Sequence, residues 1–171
     1  VKPGNYLQLK GTTIVANEPY YTIPFSPKNY TSLSYEESQK ELRSLLEGAV
    51  ERRLVSDVPL GAFLSGGIDS SIIVSIAARK VKHLNTFSIG FKDNPYFDET
   101  QYAKLVADRY KTNHTVFSIS NEAMYENIFD LMDYIDEPFA DSSAIAVYSL
   151  CQQTRTKATV SLSGDGGDEL F

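Results

Sequence analysis

Disulfide chemistry is the first thing this chain lacks. Its 171 residues include one cysteine, Cys151, so no internal bridge can form. That composition fits a reducing compartment, and a cytoplasmic location is the expectation. No apolar run approaches the roughly 20 residues of a membrane-spanning helix. No charged-then-apolar leader opens the chain, so neither membrane nor secretion is expected. Cations are scarce, with 16 Lys plus Arg against 22 Asp plus Glu and a net charge of −6. Without a basic stripe, nucleic acid is not expected as a partner. A nucleotide stays open, because backbone N–H groups and Mg²⁺ can hold phosphates. Two common phosphate motifs are also missing. No Gly-Lys-Ser/Thr closes a Walker-type loop, and no Gly-x-Gly-x-x-Gly marks a dinucleotide fold. Internal repeats and low-complexity segments are absent.

What is present is ordinary for a globular protein, with 42% hydrophobic and 22% charged residues. The length suits one domain or a little more. Residues 1–30 stand apart. Short β-like runs, Tyr6–Leu9 and Thr12–Ala16, surround turn signals at Pro3-Gly4 and Gly11. Pro19, Pro24 and Pro27 then punctuate a tyrosine-rich extended linker. From residue 31 the pattern changes. Ser34 and Glu37 form a capping box for a helix expected to reach Leu54, with Leu42, Leu45, Leu46, Ala49 and Val50 inward. Apolar strands are expected over Val58–Leu64, Leu84–Phe91, His114–Ile119 and Ala158–Leu162. Between them lie helical stretches: Ile72–Lys80 with Ile72, Ile73, Ile76 and Ala77 inward, Asp98–Tyr110 with a Tyr102, Leu105, Val106 stripe, Asn121–Tyr134 and Ser142–Thr156. Alternation of this kind predicts a doubly wound α/β fold, a mostly parallel sheet with helices on both faces. The chain breaks off at Phe171, where such a unit needs another helix, so a fragment truncated at its C-terminus is expected.

Chemistry concentrates in two loops. Ser65-Gly66-Gly67-Ile68-Asp69-Ser70-Ser71 joins an expected strand to an expected helix. Paired glycines let successive N–H groups close on one anion, and the helix start adds its own unsatisfied donors. Ser65, Ser70 and Ser71 can donate further bonds. Asp69 suits an anion site only if a cation is there too, and Mg²⁺ takes one or two carboxylates plus phosphate oxygens. Ser163-Gly164-Asp165-Gly166-Gly167-Asp168-Glu169 follows a second apolar strand. In a parallel sheet both loops fall on the same edge, where ligands bind. Asp69 and Asp168 can then share one Mg²⁺, leaving Asp165 free as a proton acceptor. The plain alternatives are a capped turn for the first loop and a flexible acidic hairpin for the second.

The first loop resembles the pyrophosphate loop of the N-type ATP pyrophosphatases. Ser163 to Phe171 resembles the second signature of one branch, the glutamine-hydrolysing asparagine synthetases. Phe87–Phe91, Asp98-Glu99 and the segment from Asp136 to Asp141 are similar to that branch as well. The resemblance covers about Ser34 to Phe171 and implies an adenine nucleotide α-hydrolase-like fold. Residues 31–171 would be the first part of a synthetase domain, and residues 1–30 the closing strand of a glutaminase domain with its linker. The resemblance implies ATP and Mg²⁺. Ser65, Gly66, Gly67, Asp69 and Ser70 would hold the pyrophosphate end. Phe63 or Leu64, with Ile89, would contact adenine, and Ser163 and Gly164 the ribose or adenine side. Asp69 and Asp168 would bind the metal. Aspartate would be adenylated and then amidated by ammonia from glutamine, with Asp165 taking the proton. Partners would be small molecules alone, with a homodimer as the candidate assembly. Two other readings stay open: a β-lactam synthetase-like adenylating enzyme, and a nucleotide-binding remnant.

Other residues are expected to be structural. Cys151, mid-helix, reads as a core residue. His83 and His114 read as strand-end positions, and Arg155 and Lys157 as solvated surface. Asp133, Asp136 and Glu137 read as a helix end and its loop. Asp141 resembles a position at the edge of the family's site, without an assigned duty. Tyr20, Tyr21 and Tyr30 read as linker packing.

Overall fold

The computed structural model describes residues 1–23, 30–137 and 140–169. Pro24 and Pro27 of the linker, and Pro138, Phe139, Leu170 and Phe171 of the motif segments, lie outside the described residues. The chain divides into two compact units, Val1–Glu41 and Leu42–Phe171. In the first, β1 (Asn5–Lys10) and β2 (Thr13–Pro19) pair antiparallel. Their turn uses Gly11 at φ 61°, and a bulge falls between Gln8 and Leu9. Tyr20, Tyr21 and Tyr30 are exposed, so the packing expected of them is not seen.

Helix α1 (Tyr35–Arg53) begins in the first unit and runs into the second. The capping box forms as expected. Ser34 N–H and Oγ both donate to Glu37 Oε2 at 2.9 and 2.8 Å, and Glu37 N–H returns a bond to Ser34 Oγ at 3.3 Å. These bonds hold the Glu37 carboxyl below its usual range. Only the later turns of α1 are inward: Val50 is buried and Leu46 packs on the core, while Leu42 and Leu45 are exposed.

The second unit holds a four-stranded, wholly parallel sheet in the order β5-β4-β3-β6. Its strands are β3 (Leu60–Phe63), β4 (Asn85–Phe91), β5 (Asn113–Ile119) and β6 (Val160–Leu162). Between them run α2 (Ile68–Lys80), α3 (Thr100–Tyr110), α4 (Asn121–Tyr134) and α5 (Ser143–Thr154). Strand residues alternate between two cores. Ala62, Leu64 and Leu162 join α1, α2 and α3 side chains in one. Phe63, Phe87, Ile89 and Phe117 meet Leu150 and Ala158 in the other. The sheet is thus covered on both faces, and the doubly wound expectation holds.

Two helix faces differ in part from the expected stripes, and in α3 the close packing is made by small residues. Ala103 and Ala107 are buried in α3, whereas Tyr102 and Leu105 are 54% and 68% exposed. Val74, with Ile76 and Ala77, is buried in α2, while Ile72 is exposed. In α5, Ser149, Leu150 and Thr154 face inward. Cys151 lies one residue past Leu150, about 100° round the helix. It is exposed, which corrects its reading as a core residue.

Candidate functional site

Strand order explains where the site forms. The chain builds outward from β3 to β4 and β5, then crosses back to lay β6 on the other side of β3. The switch in direction falls between β3 and β6, whose carboxyl ends carry the two glycine loops. Ligands of open α/β sheets bind in the crevice at such a point.

The first loop is shaped by its own hydroxyls. Gly67 N–H donates to Ser65 Oγ at 3.1 Å, and Ser65 N–H to Ser70 Oγ at 3.3 Å. The Ser65 and Ser70 hydroxyls are 3.0 Å apart, and Ser70 Oγ donates to the Gly67 carbonyl. Helix α2 then starts at Ile68 with no side-chain cap at Gly67. Its first N–H groups are left for a ligand. Behind the loop, buried Ser88 donates from Oγ to the Leu64 carbonyl, and Leu64 N–H donates to the Phe87 carbonyl at 2.8 Å. Strand β4 thereby fixes the base of the loop.

The second loop lies directly on the first. A Cβ added at Gly164 would stand 2.6 Å from Ser70 N, and one at Gly167 2.6 Å from Asp69 Cγ. Only glycine allows that approach. It brings Asp168 within hydrogen-bonding reach of Asp69, and this contact is the main cause that raises the Asp69 pKa above the ordinary carboxylate range. Partial burial and the Asp168 and Glu169 charges add to the shift.

Together the loops border a cleft of about 510 Å³, the size of a small-molecule site. Phe63, Leu64, Ser65, Gly67, Asp69, Ser70, Ile89, Ser163, Gly164, Asp165 and Asp168 all line it. Two residues of the first loop expected to bind ligand do not. Gly66, at φ +92°, turns instead toward α3. Ser71 buries its Oγ in the first turn of α2 without a hydrogen-bond partner among the described residues, so it is not the ligand donor expected. Sequence reasoning assigned no role to Phe97, Glu99, Thr100, Val147, Leu150 or Ser161, which line the cleft as well. Only Glu99 had a local signal, in Asp98-Glu99. Phe97 and Thr100 flank that pair, and Val147, Leu150 and Ser161 arrive from distant elements. Ser161 on β6 has a buried hydroxyl with no partner among the described residues.

Charge gives the site its chemistry. Five carboxylates line the cleft, on Asp69, Glu99, Asp165, Asp168 and Glu169, and no Lys, Arg or His is among the lining residues. A bare polyphosphate would be repelled; a divalent cation resolves the conflict. The Asp69–Asp168 pair fits such an ion, because two carboxylates this close repel unless a proton or a cation joins them. Among the described residues no group of three or more acids, His or Cys forms a metal cage. His83 and His114 come together at no such site. His114 sits half-buried in β5 with Nδ1 3.0 Å from Thr86 Oγ1, and His83 is exposed before β4.

Fold and cleft define a doubly wound α/β protein whose two glycine loops meet over a cleft lined with carboxylates at its strand-order switch. Residues 41–171 match the asparagine synthase family, and the chain belongs to that family. A Methanocaldococcus jannaschii relative named for glutamine-hydrolyzing asparagine synthetase is 45% identical over 135 residues, covering 77% of this chain and 26% of its own. Asparagine synthetase [glutamine-hydrolyzing] 1 of Bacillus subtilis is 34% identical over 171 residues, all of this chain and 26% of its own. The human asparagine synthetase [glutamine-hydrolyzing] is 31% identical over 84% of this chain and 27% of its own. The chain thus spans about a quarter of the length of these curated relatives. Among solved structures, NH3-dependent NAD synthetase from Campylobacter jejuni superposes with a TM-score of 0.46 at 15% identity, over 81% of this chain and 59% of that one. That likeness is too low to bear on function. No helix among the described residues is long and apolar enough to cross a membrane.

Proposed function

We propose that this chain is the ATP-binding part of a glutamine-dependent asparagine synthetase. The observation that carries the reading is the seating of Gly164 and Gly167 on Ser70 and Asp69, which joins a phosphate cradle to a pair of carboxylates. In this reading residues 31–171 open the synthetase domain, and residues 1–30 are the tail of a glutaminase domain and its linker. Phe63, Leu64 and Ile89 hold adenine, and Ser163 and Gly164 meet the ribose or adenine side. The backbones of Ser65, Gly66 and Gly67, with Asp69 and Ser70, keep the β- and γ-phosphates still.

The chemistry follows from that placement. A carboxylate oxygen of aspartate attacks the α-phosphorus; the bond to the β,γ-pyrophosphate breaks, and pyrophosphate leaves. Ammonia then attacks the acyl carbon of the adenylate. AMP departs with the C–O bonding pair, and Asp165 takes the proton lost by nitrogen. Asp69 and Asp168 would hold Mg²⁺, which supplies charge neutralisation at the leaving pyrophosphate. The protein contributes positioning and fixed donors without covalent participation. Ammonia comes from glutamine, the location is the cytoplasm, and a homodimer is the proposed assembly.

Calorimetric titration of the full-length protein carrying this chain tests the metal assignment. ATP with Mg²⁺ should bind and ATP with EDTA should not, and Asp69→Ala should remove the dependence on Mg²⁺. Unchanged Mg²⁺-dependent binding in Asp69→Ala would overturn the assignment.

A further inference from the structure

Gly66 belongs to the phosphate loop yet faces away from the cleft. A Cβ at this position would stand 2.5 Å from Ala103 N and 2.6 Å from both Tyr102 C and Tyr102 Cβ. The loop therefore rests directly against α3, on the backbone of Tyr102 and Ala103 and the Tyr102 Cβ. Ala103 is 0% exposed, which makes this the closed side of the loop. The same turn of α3 meets β4. A Cβ at Gly90 would lie 3.1 Å from Thr100 Cγ2 and 3.5 Å from Asp98 Oδ1. Gly90 follows Ile89, which lines the cleft. One turn of helix thus touches both the loop and the strand beside it.

Among the described residues, one side-chain bond holds that turn. Asp98 is half-buried, and its Oδ1 accepts from Thr100 N–H at 3.0 Å. Glu99 takes the N-cap position without a side-chain bond of its own. Its carbonyl accepts from Tyr102 N–H at 2.9 Å and Ala103 N–H at 3.2 Å, the two residues that meet Gly66. An acceptor two residues before an N–H fixes a local turn. Here it fixes where α3 begins, and hence where the wall behind Gly66 stands.

We infer that Asp98 is a positioning residue for the phosphate loop. It touches no ligand and acts through the first turn of α3 on the Gly66 conformation that aims the loop N–H groups. The inference rests on the reading of the cleft as an ATP site. Its distinguishing consequence is selective: loss of the Asp98 acceptor weakens ATP and leaves the amino-acid substrates alone.

The test uses the full-length protein, with Asp98→Ala, Asp98→Asn and, as a control on the same helix, Lys104→Ala. Lys104 is exposed and pairs with Asp108 away from the loop. Loss of a local capping acceptor corresponds to about a fivefold effect. The KM for ATP should rise about fivefold in Asp98→Ala, with the KM for aspartate unchanged. Amide exchange at Ser65–Ser70 should quicken in the same variant. Asp98→Asn, which keeps the acceptor, should restore both readouts, and Lys104→Ala should match the wild type. If Asp98→Ala does not fold, Asp98→Ser should fall between wild type and a fivefold loss. Equal KM values for ATP in the wild type and the alanine or serine variant overturn this inference alone. So does a parallel rise in both KM values. A wild-type protein that binds no Mg²⁺–ATP overturns the ATP reading itself.

Discussion

Asp69 and Asp168 set two carboxyls against each other. The raised pKa of Asp69 comes first from Asp168, so protonation is favoured in the folded state. The sign follows directly. For a carboxyl raised above its unfolded value, the stabilising contribution is full below the unfolded pKa and is lost as pH rises through the folded one. At neutral pH the metal-free protein therefore holds two charges against each other. Asp168→Asn should raise the melting temperature in EDTA at pH 7, and the gain should vanish below the carboxylate range. Melting curves across pH check this, and a lower melting temperature at pH 7 contradicts it. Gly66 sets the second residue-scale prediction. Gly66→Ala combines an unfavourable positive φ with the overlap on α3, and should cost about 1 to 3 kcal/mol in urea unfolding. The cradle residues were legible in the sequence because their chemistry is local: hydroxyls, glycines and one acid within seven positions. The outward turn of Gly66 was not legible, since its partner α3 enters the chain more than thirty residues later.

Elements repeat that contrast between local and distant causes. The start of α1 could be read from Ser34 and Glu37 because a capping box closes within four residues. Ser34→Ala should lower the melting temperature by roughly 2–4 °C and shorten the helix, read by circular dichroism. The bounds of α4 matched the expected Asn121–Tyr134, with Ser120 Oγ accepting from Ala123 N–H. Faces were harder than bounds. Periodicity marks a stripe of large apolar residues, but α3 packs through Ala103 and Ala107. Which stripe is covered depends on how closely the next element comes, and that is a tertiary fact. His114 illustrates how an element's surroundings decide its chemistry. Burial holds its imidazole below the usual range, and Lys104 on α3 adds to the shift. The Thr86 backbone and the Asp108 charge oppose it more weakly. A depressed His pKa contributes stability above the unfolded value near 6.5, lost as pH falls through the folded value. Melting temperature should therefore drop on acidification below about 6.5, and His114→Gln should flatten that part of the curve. An unchanged slope in His114→Gln would place the cause elsewhere.

Across the whole molecule, strand order does what neither loop does alone. Alternating strands and helices made the parallel, doubly covered sheet legible, but not the order β5-β4-β3-β6. That order depends on the long return from β5 through α4 and α5 to β6. It places Gly164 against Ser70 and Gly167 against Asp69, and turns two glycine loops into one cleft. Membership of the asparagine synthase family and the composite cleft point the same way. The proposed reaction cleaves ATP between the α- and β-phosphorus and couples that cleavage to amide formation. The direct measurement is product analysis of the full-length protein given ATP, Mg²⁺, aspartate and glutamine. Asparagine, AMP and pyrophosphate should form in equal amounts. ADP with inorganic phosphate, or AMP without asparagine, would contradict it.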